Sequence, residues 1–326
     1  MVGKVTSSQK PSASVLPAIM GHSPYETPLV VLDRAIKCVE LGVDRLPDTG
    51  RYIEAADWGN RLEDTILEAA VQKLASSDTT GLIRLTKEYS EPFNYKDILS
   101  CSLDGSMTAE NETFTIKHEP ERGIYLMSID EEIEVTGMGI LEAKLTRIAP
   151  QEKPDLWRGP IQLQAQMLCT GATWGAICTL YQGVELRLFV YKQNVQMQQE
   201  IIKVCSDFCR RVRDRDLYPA FSTSEAIKKY PEPQFPERVI DADDDLAEKV
   251  QRLAHIRSEL KAYEALSHDL QLDIMEAMKD ASCVNAGHYK VTWPVRNIKA
   301  KPEQVKVIPA VAAEQKRGLT LKIEDL

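Results

Sequence analysis

Asp130, Glu142 and Lys144, close together in one stretch, carry the densest chemical signal in this 326-residue chain. The stretch is Arg122–Thr146, RGIYLMSIDEEIEVTGMGILEAKLT. It reads as a strand ending at Asp130, an acidic turn, and a second strand carrying Glu142, Ala143 and Lys144. Side chains alternate along a strand, so Glu142 and Lys144 share one face while Ala143 points to the other. Their neighbours Ile140, Leu141 and Leu145 are apolar. A carboxylate and an amine on a buried strand are costly unless paired, metal-bound or catalytic. Glu-x-Lys alone fits an ordinary salt-bridged strand. An aspartate twelve residues upstream shifts the reading: two neighbouring strands joined by this turn bring Asp130 beside Glu142 as a hard-oxygen site for Mg²⁺. Lys144 then orients a water and offsets charge growing on a phosphate, which is metal-assisted phosphodiester hydrolysis.

The elements that must hold these residues follow from hydrophobic period and turn chemistry. Residues 1–18 read as a flexible lead-in rich in Ser and Pro. Thr27–Leu41 has Pro at an early helical position and apolar residues at helical spacing, which predicts a helix. Gly59–Leu74 predicts a second, with Leu62, Ile66, Ala69 and Ala70 on one face. Between 80 and 145 short apolar runs alternate with turn residues, predicting strands at Leu82–Leu85, Ile98–Ser102, Thr113–Lys117, Gly123–Ile129 and Gly137–Leu145. A helix over Pro160–Cys169 follows, then strands Trp174–Tyr181 and Val184–Tyr191 joined by a Gln182-Gly183 hairpin, then a helix over Val195–Arg215. This order predicts an α/β or α+β sandwich, a central mixed sheet flanked by helices.

Four blocks, in order along the chain, carry a resemblance to a known family. They are IMGHSPYETPL (Ile19–Leu29), GNRLEDTI (Gly59–Ile66), SID…GILEAK (Ser128–Lys144) and PIQLQAQMLCTG (Pro160–Gly171). Over about residues 15–215 the chain resembles the YqaJ-like viral recombinases, relatives of phage lambda exonuclease within the PD-(D/E)XK nuclease superfamily with its restriction-endonuclease-like core. The resemblance implies that Asp130 is the metal-bridging aspartate, Glu142 the second ligand and Lys144 the lysine that positions the attacking water. Glu63 matches the helical carboxylate supporting a second metal or its waters, and the Ala143 carbonyl completes the coordination. Gln162 matches the polar residue of the following helix, with Gln164 and Gln166 as alternatives. Ser14 and Ser128 match the 5′-phosphate pocket. Two departures stand out: Ile129 replaces the Pro before the aspartate, and Glu131-Glu132 replace the usual Asp-Gly after it.

The activity implied is a Mg²⁺-dependent deoxyribonuclease, with Mn²⁺ as a substitute and two ions per site. It is a 5′→3′ exonuclease that acts on linear double-stranded DNA ends and leaves 3′ single strands for phage-type recombination. A homo-oligomeric ring and a single-strand annealing protein are the implied partners. The rival readings are another nuclease of the superfamily, an endonuclease or single-strand exonuclease, and a non-catalytic DNA-binding or assembly module.

Composition is compatible with this and excludes other classes. Forty Lys+Arg against 49 Asp+Glu give a net charge of −9, so no global basic field marks nucleic-acid binding. Residues 144–215 nevertheless hold 11 Lys+Arg and 6 Asp+Glu, a local +5, and phosphate contact needs only a local positive surface. The run Arg210–Arg215 reads either as that surface or as a cationic helix terminus. Tyr25 and Trp58 are candidates to stack on an unpaired base or to pack. Seven scattered cysteines, with no C-x-x-C, read as reduced thiols. No apolar stretch is long enough for a membrane span and no secretory leader is evident, which places the expected protein in the cytoplasm, the host's if phage-encoded.

The expected organisation is a nuclease domain over 1–218, a Pro-rich acidic linker over 219–245 and a C-terminal extension over 246–326. In the extension Leu246, Leu253, Ile256, Leu260, Tyr263, Leu270, Ile274, Ala277 and Ala281 fall in heptads, with Lys249 and Ser267 interrupting the seam. That predicts one long amphipathic helix, packed on the parent domain or on a second copy, followed by a short β segment at His288–Val295 and a loose tail.

Overall fold

The computed structural model describes residues 6–47, 54–75, 83–87, 89–109, 113–231 and 239–294. It divides into two units, Met1–Phe221 and Ser222–Leu326. The predicted tail, residues 1–5 of the lead-in and 232–238 of the linker lie outside the described residues.

The first unit opens with a short helix α1 (Leu16–Ile19) and then α2 (Pro28–Leu41). The latter starts where sequence chemistry dictates. Thr27 caps it by accepting from the Val30 N–H, Pro28 occupies the first turn, and Gly42 closes it with φ 64°. Contrary to the expected flexible lead-in, Ala13, Leu16 and Ala18 are core residues. Ser12 bridges Ser100, and the Pro11 carbonyl accepts from the Ser100 N–H. Helix α3 (Glu54–Ala75) begins five residues before the predicted start.

Strands β1 (Ile83–Thr86), β2 (Phe93–Tyr95), β3 (Leu99–Cys101), β4 (Gly105–Ala109), β5 (Phe114–Lys117), β6 (Ile124–Leu126), β7 (Glu132–Val135) and β8 (Met138–Thr146) follow. Helix α4 (Pro160–Thr170), the hairpin of β9 (Trp174–Tyr181) and β10 (Glu185–Lys192), and α5 (Val195–Asp214) complete the unit. The central sheet has the order β1-β4-β8-β9-β10-β6 and is mixed: β8 runs parallel to β9 and β6 parallel to β10, while the other neighbours are antiparallel. β2–β3 and β5–β7 form separate two-stranded sheets.

Two apolar layers clamp the sheet. On one face Ile66, Leu67, Ala70 and Leu74 of α3 pack against Leu141, Ala176, Cys178 and Leu188. On the other, α1, α2, α4 and α5 cover Ile140, Ile177 and Phe189. This is the expected α+β sandwich with a mixed sheet between helices. Three strands had no signal in the sequence reading. The consequential one is β4, GSMTA, whose only large apolar residue is Met107, so no period-2 pattern betrays it.

In the second unit α6 (Thr223–Lys229) precedes the 35-residue α7 (Asp244–Met278), capped by Asp243, which accepts from the Leu246 N–H at 2.9 Å. The helix ends before Ala281, which therefore lies outside the heptad stripe. A hairpin of β11 (Cys283–Ala286) and β12 (Tyr289–Thr292) follows, with one strand more than expected. Among the described residues no helix is long and apolar enough to cross a membrane, and the seven cysteines are unbridged.

Candidate active site

Strand β8 distributes its side chains by period 2. Ile140 enters the layer under α4, while Leu141 enters the layer under α3. Glu142 and Lys144 therefore share the α4 side, and the hydrogen bonds agree. Glu142, 2% exposed, accepts from Nε2 of Gln162 at 2.7 Å through one carboxylate oxygen and from Nε2 of Gln166 at 2.6 Å through the other. Lys144 donates to Glu142 and, at 3.1 Å, to Oε1 of Gln162. Gln162 and Gln166 can both reach because residues four apart lie on one helix face. Gln164, between them, instead ties α4 to the start of α5, donating to the Lys192 carbonyl at 2.9 Å and accepting from the Asn194 N–H at 2.8 Å.

The aspartate that joins this cluster is Asp104, not Asp130. β4 and β8 pair antiparallel with Gly105 opposite Leu141, so Asp104, one residue back, stands level with Glu142. Its Oδ2 accepts from the Ala143 N–H at 2.9 Å. Burial pushes its carboxyl up to about 8, and the neighbouring Glu142 charge and, more weakly, Glu63 add to the shift. Lys144 and the Ala143 N–H pull the other way. Burial disfavours the Lys144 ammonium too, but Glu142, Asp104 and Glu63 outweigh it and hold its pKa above the ordinary lysine value. Glu63, on α3, thus acts electrostatically on both Asp104 and Lys144.

Asp130 lies elsewhere because β6 and β8 are not neighbours. β9 and β10 stand between them, about 14 Å across the sheet at the usual strand spacing. The register puts Tyr125 level with Phe189, Ile177 and Glu142, and Asp130 is five residues further along the chain. It is half-exposed, with the Lys192 ammonium 3.9 Å away. Ser128 is exposed on the same turn. The intervening chain also does not form a simple turn, since β7 leaves to pair with β5.

A sequence signal for Asp104 did exist. Ser102-Leu103-Asp104-Gly105 is an Asp-Gly at a strand start. The glycine has a local reason: a Cβ at Gly105 would stand 3.0 Å from Leu67 of α3 and 3.3 Å from the Thr86 carbonyl.

Beside the cluster opens a cleft of about 1020 Å³ whose lining includes Ser14, Tyr25, Trp58, Lys144, Trp157 and Gln162. Ser14 is thus brought to the cluster's entrance, whereas Ser128 is not among the lining residues. Tyr25 meets Trp157 edge-on at 5.3 Å between centroids, and the Arg158 guanidinium lies 4.2 Å over the Trp157 ring. Arg147 also lines this wall. The Arg210–Arg215 run is engaged differently: Arg210 and Arg211 pair with Asp207 and Asp216, Arg213 with Asp214, and Arg215 with Glu40.

As donors for a cation the cluster offers the Asp104 and Glu142 carboxylates, the Ala143 carbonyl on the main chain between Glu142 and Lys144, and Glu63 from α3. Among the described residues no three His, Cys, Asp or Glu side chains form a metal-holding group by themselves. The set fits an ion such as Mg²⁺, which takes one or two carboxylates and keeps several waters.

No protein family and no curated protein matches the chain. Solved structures similar to it include the alkaline exonuclease of Laribacter hongkongensis in complex with dAMP, at 14% identity, covering 68% of this chain and 93% of that one, with a TM-score of 0.43. A phage-related exonuclease of Haemophilus somnus is similar at 14% identity over 63% of this chain and 94% of that one, with a TM-score of 0.41.

Proposed function

We propose that this chain is a Mg²⁺-dependent deoxyribonuclease that hydrolyses phosphodiesters at ends of linear duplex DNA in the 5′→3′ direction. The observation that carries the reading is the level pairing of Asp104 with Glu142 on adjacent strands, with Lys144 bonded to Glu142 on the same face. The blocks resembling YqaJ-like recombinases support it, the third through GILEAK alone, with Asp104 in place of its Asp130 as the aspartate. Asp104, Glu142 and the Ala143 carbonyl would hold Mg²⁺, with Glu63 supporting it or a second ion. When bound, the ion supplies Lewis acidity toward the phosphate.

The chain's own groups do the rest. Gln162 and Gln166 fix the Glu142 carboxylate from two sides, so both of its oxygens are oriented before substrate arrives. Lys144, kept cationic by three carboxylates, presents an ammonium to the cleft, where it can orient a water and neutralise charge developing on the phosphate. Tyr25, Trp58 and Trp157 offer faces for unpaired bases, while Arg147 and Arg158 offer charge to the backbone. An oligomeric ring, an annealing partner and a cytoplasmic setting belong to the same reading.

The test is cleavage of 5′-phosphorylated linear duplex DNA beside a closed circle, with Mg²⁺ or EDTA. Loss of the linear substrate alone, requiring Mg²⁺ and Lys144, is expected. Cleavage of the circle would move the reading to an endonuclease, and an intact linear duplex under all conditions would overturn it.

A further inference from the structure

Helix α7 presents apolar side chains that its own unit leaves in water. Leu260 is 55% exposed, Tyr263 67% and Leu270 54%, and exposed apolar stripes of this size mark association surfaces. The stripe follows a strict heptad. Leu246, Leu253, Leu260, Ser267 and Ile274 occupy one core position, and Lys249, Ile256, Tyr263, Leu270 and Ala277 the other. At 35 residues the helix is about 52 Å long, the length of five heptads. Against its C-terminal half the β11–β12 hairpin builds a groove of about 500 Å³, lined by Tyr263, Leu270 and Ile274 of the stripe together with Val291 and Trp293.

We infer that the occupant of this stripe is the α7 helix of a second copy, lying antiparallel. Charge decides the direction. A parallel pair would place Lys249 against Lys249 in one core layer. It would also set Arg252 beside Arg257 and Glu259 beside Glu264, each twice, all like-charged. An antiparallel pair in which Leu253 faces Leu270 sets Arg252 beside Asp273 and Arg257 beside Glu264, each twice and all opposite in sign. In that register Lys249 faces Ile274 instead of itself.

The same register is the one that overlaps the helices fully. Its two-fold axis passes between Lys261 and Ala262, and α7 spans Asp244–Met278, whose midpoint is Lys261. The groove beside the C-terminal half then receives Leu246, Leu253 and Ile256 from the partner's N-terminal half, twice by symmetry. Ser267 faces Ile256, a polar break that costs affinity.

Sedimentation equilibrium of the full-length protein tests the inference. The wild type is expected to self-associate, and Leu260→Glu to reduce its mass. Arg252→Glu is expected to weaken association by about tenfold, because each of two attractive pairs becomes repulsive. Asp273→Arg should do the same, and the double swap should restore wild-type affinity. Circular dichroism checks that these surface variants keep their helix. A monomeric wild type, or a mass that Leu260→Glu leaves unchanged, would overturn the interface. Tighter association of Arg252→Glu with no rescue by the double swap would overturn the antiparallel direction.

Discussion

Two aspartate-bearing segments of this molecule rank one way as sequence and the opposite way as structure. The turn around Asp130 has an aspartate, two glutamates and a nearby Glu-x-Lys strand. The segment around Asp104 is a lone aspartate in a polar stretch. Yet Asp104 lies level with Glu142, feels its charge and receives the Ala143 N–H, whereas Asp130 stands half-exposed at the far edge of the sheet. Hydrogen-bonded strand neighbours bring side chains within about 5 Å of each other, while three strand spacings put them beyond direct contact. Partnership between strands, not distance along the chain, determines which carboxylate can share an ion or a proton with Glu142.

The sharpest way to break this comparison is substitution at both aspartates. Asp104→Asn and Lys144→Ala are each expected to reduce cleavage of linear duplex by roughly 10³-fold or more, while Asp130→Asn stays within about twofold. Inactive Asp130→Asn alongside active Asp104→Asn would reverse the assignment. A smaller effect is expected at the support of Glu142. Gln166→Leu removes one of its donors and should cost roughly 10- to 100-fold in activity or metal affinity. Gln164→Leu, which loses only the tie between α4 and α5, should lower thermal stability and spare the activity measured at low temperature.

Next in size is a pH effect on the metal-free protein. Asp104 is raised from 3.8 to about 8, so between those values the folded chain holds a proton that the unfolded chain has released. Stability then falls as pH rises through this window. Melting curves in EDTA should show Tm declining toward pH 8 for the wild type and a flatter profile for Asp104→Asn. Indistinguishable profiles would take Asp104 out of the buried cluster. The smallest change belongs to the other region: with Lys192 and Asp130 both half-exposed and 3.9 Å apart, Lys192→Ala should alter stability by less than about 0.5 kcal/mol in chemical denaturation.

Much of the architecture was legible from local chemistry. Thr27-Pro28 and Gly42 delimit α2, Asn194 caps α5 and Asp243 caps α7, because capping involves residues within one turn of each other. The β9–β10 hairpin was visible for the same reason, with Gln182 and Gly183 at φ 54° and 73° between two apolar runs. Glu142 and Lys144 were also legible as a pair, since alternation along one strand puts them on one face, whereas Gln162 came from the family resemblance. Gln166 stood among the alternatives, and helical spacing from Gln162 would have raised it above Gln164.

By itself, the sequence determined the elements that rest on short-range pattern: most helices with their caps, the long strands, the Glu-x-Lys pair and the heptad stripe of α7. Tertiary structure alone decided which strands are neighbours. A five-residue polar strand with one buried methionine carries almost no local signal, yet it is stabilised on both edges by β1 and β8 and beneath α3 by Leu67. Those contacts come from residues tens of positions away. They exist only once the sheet has assembled, and that assembly makes Asp104, rather than Asp130, the partner of Glu142.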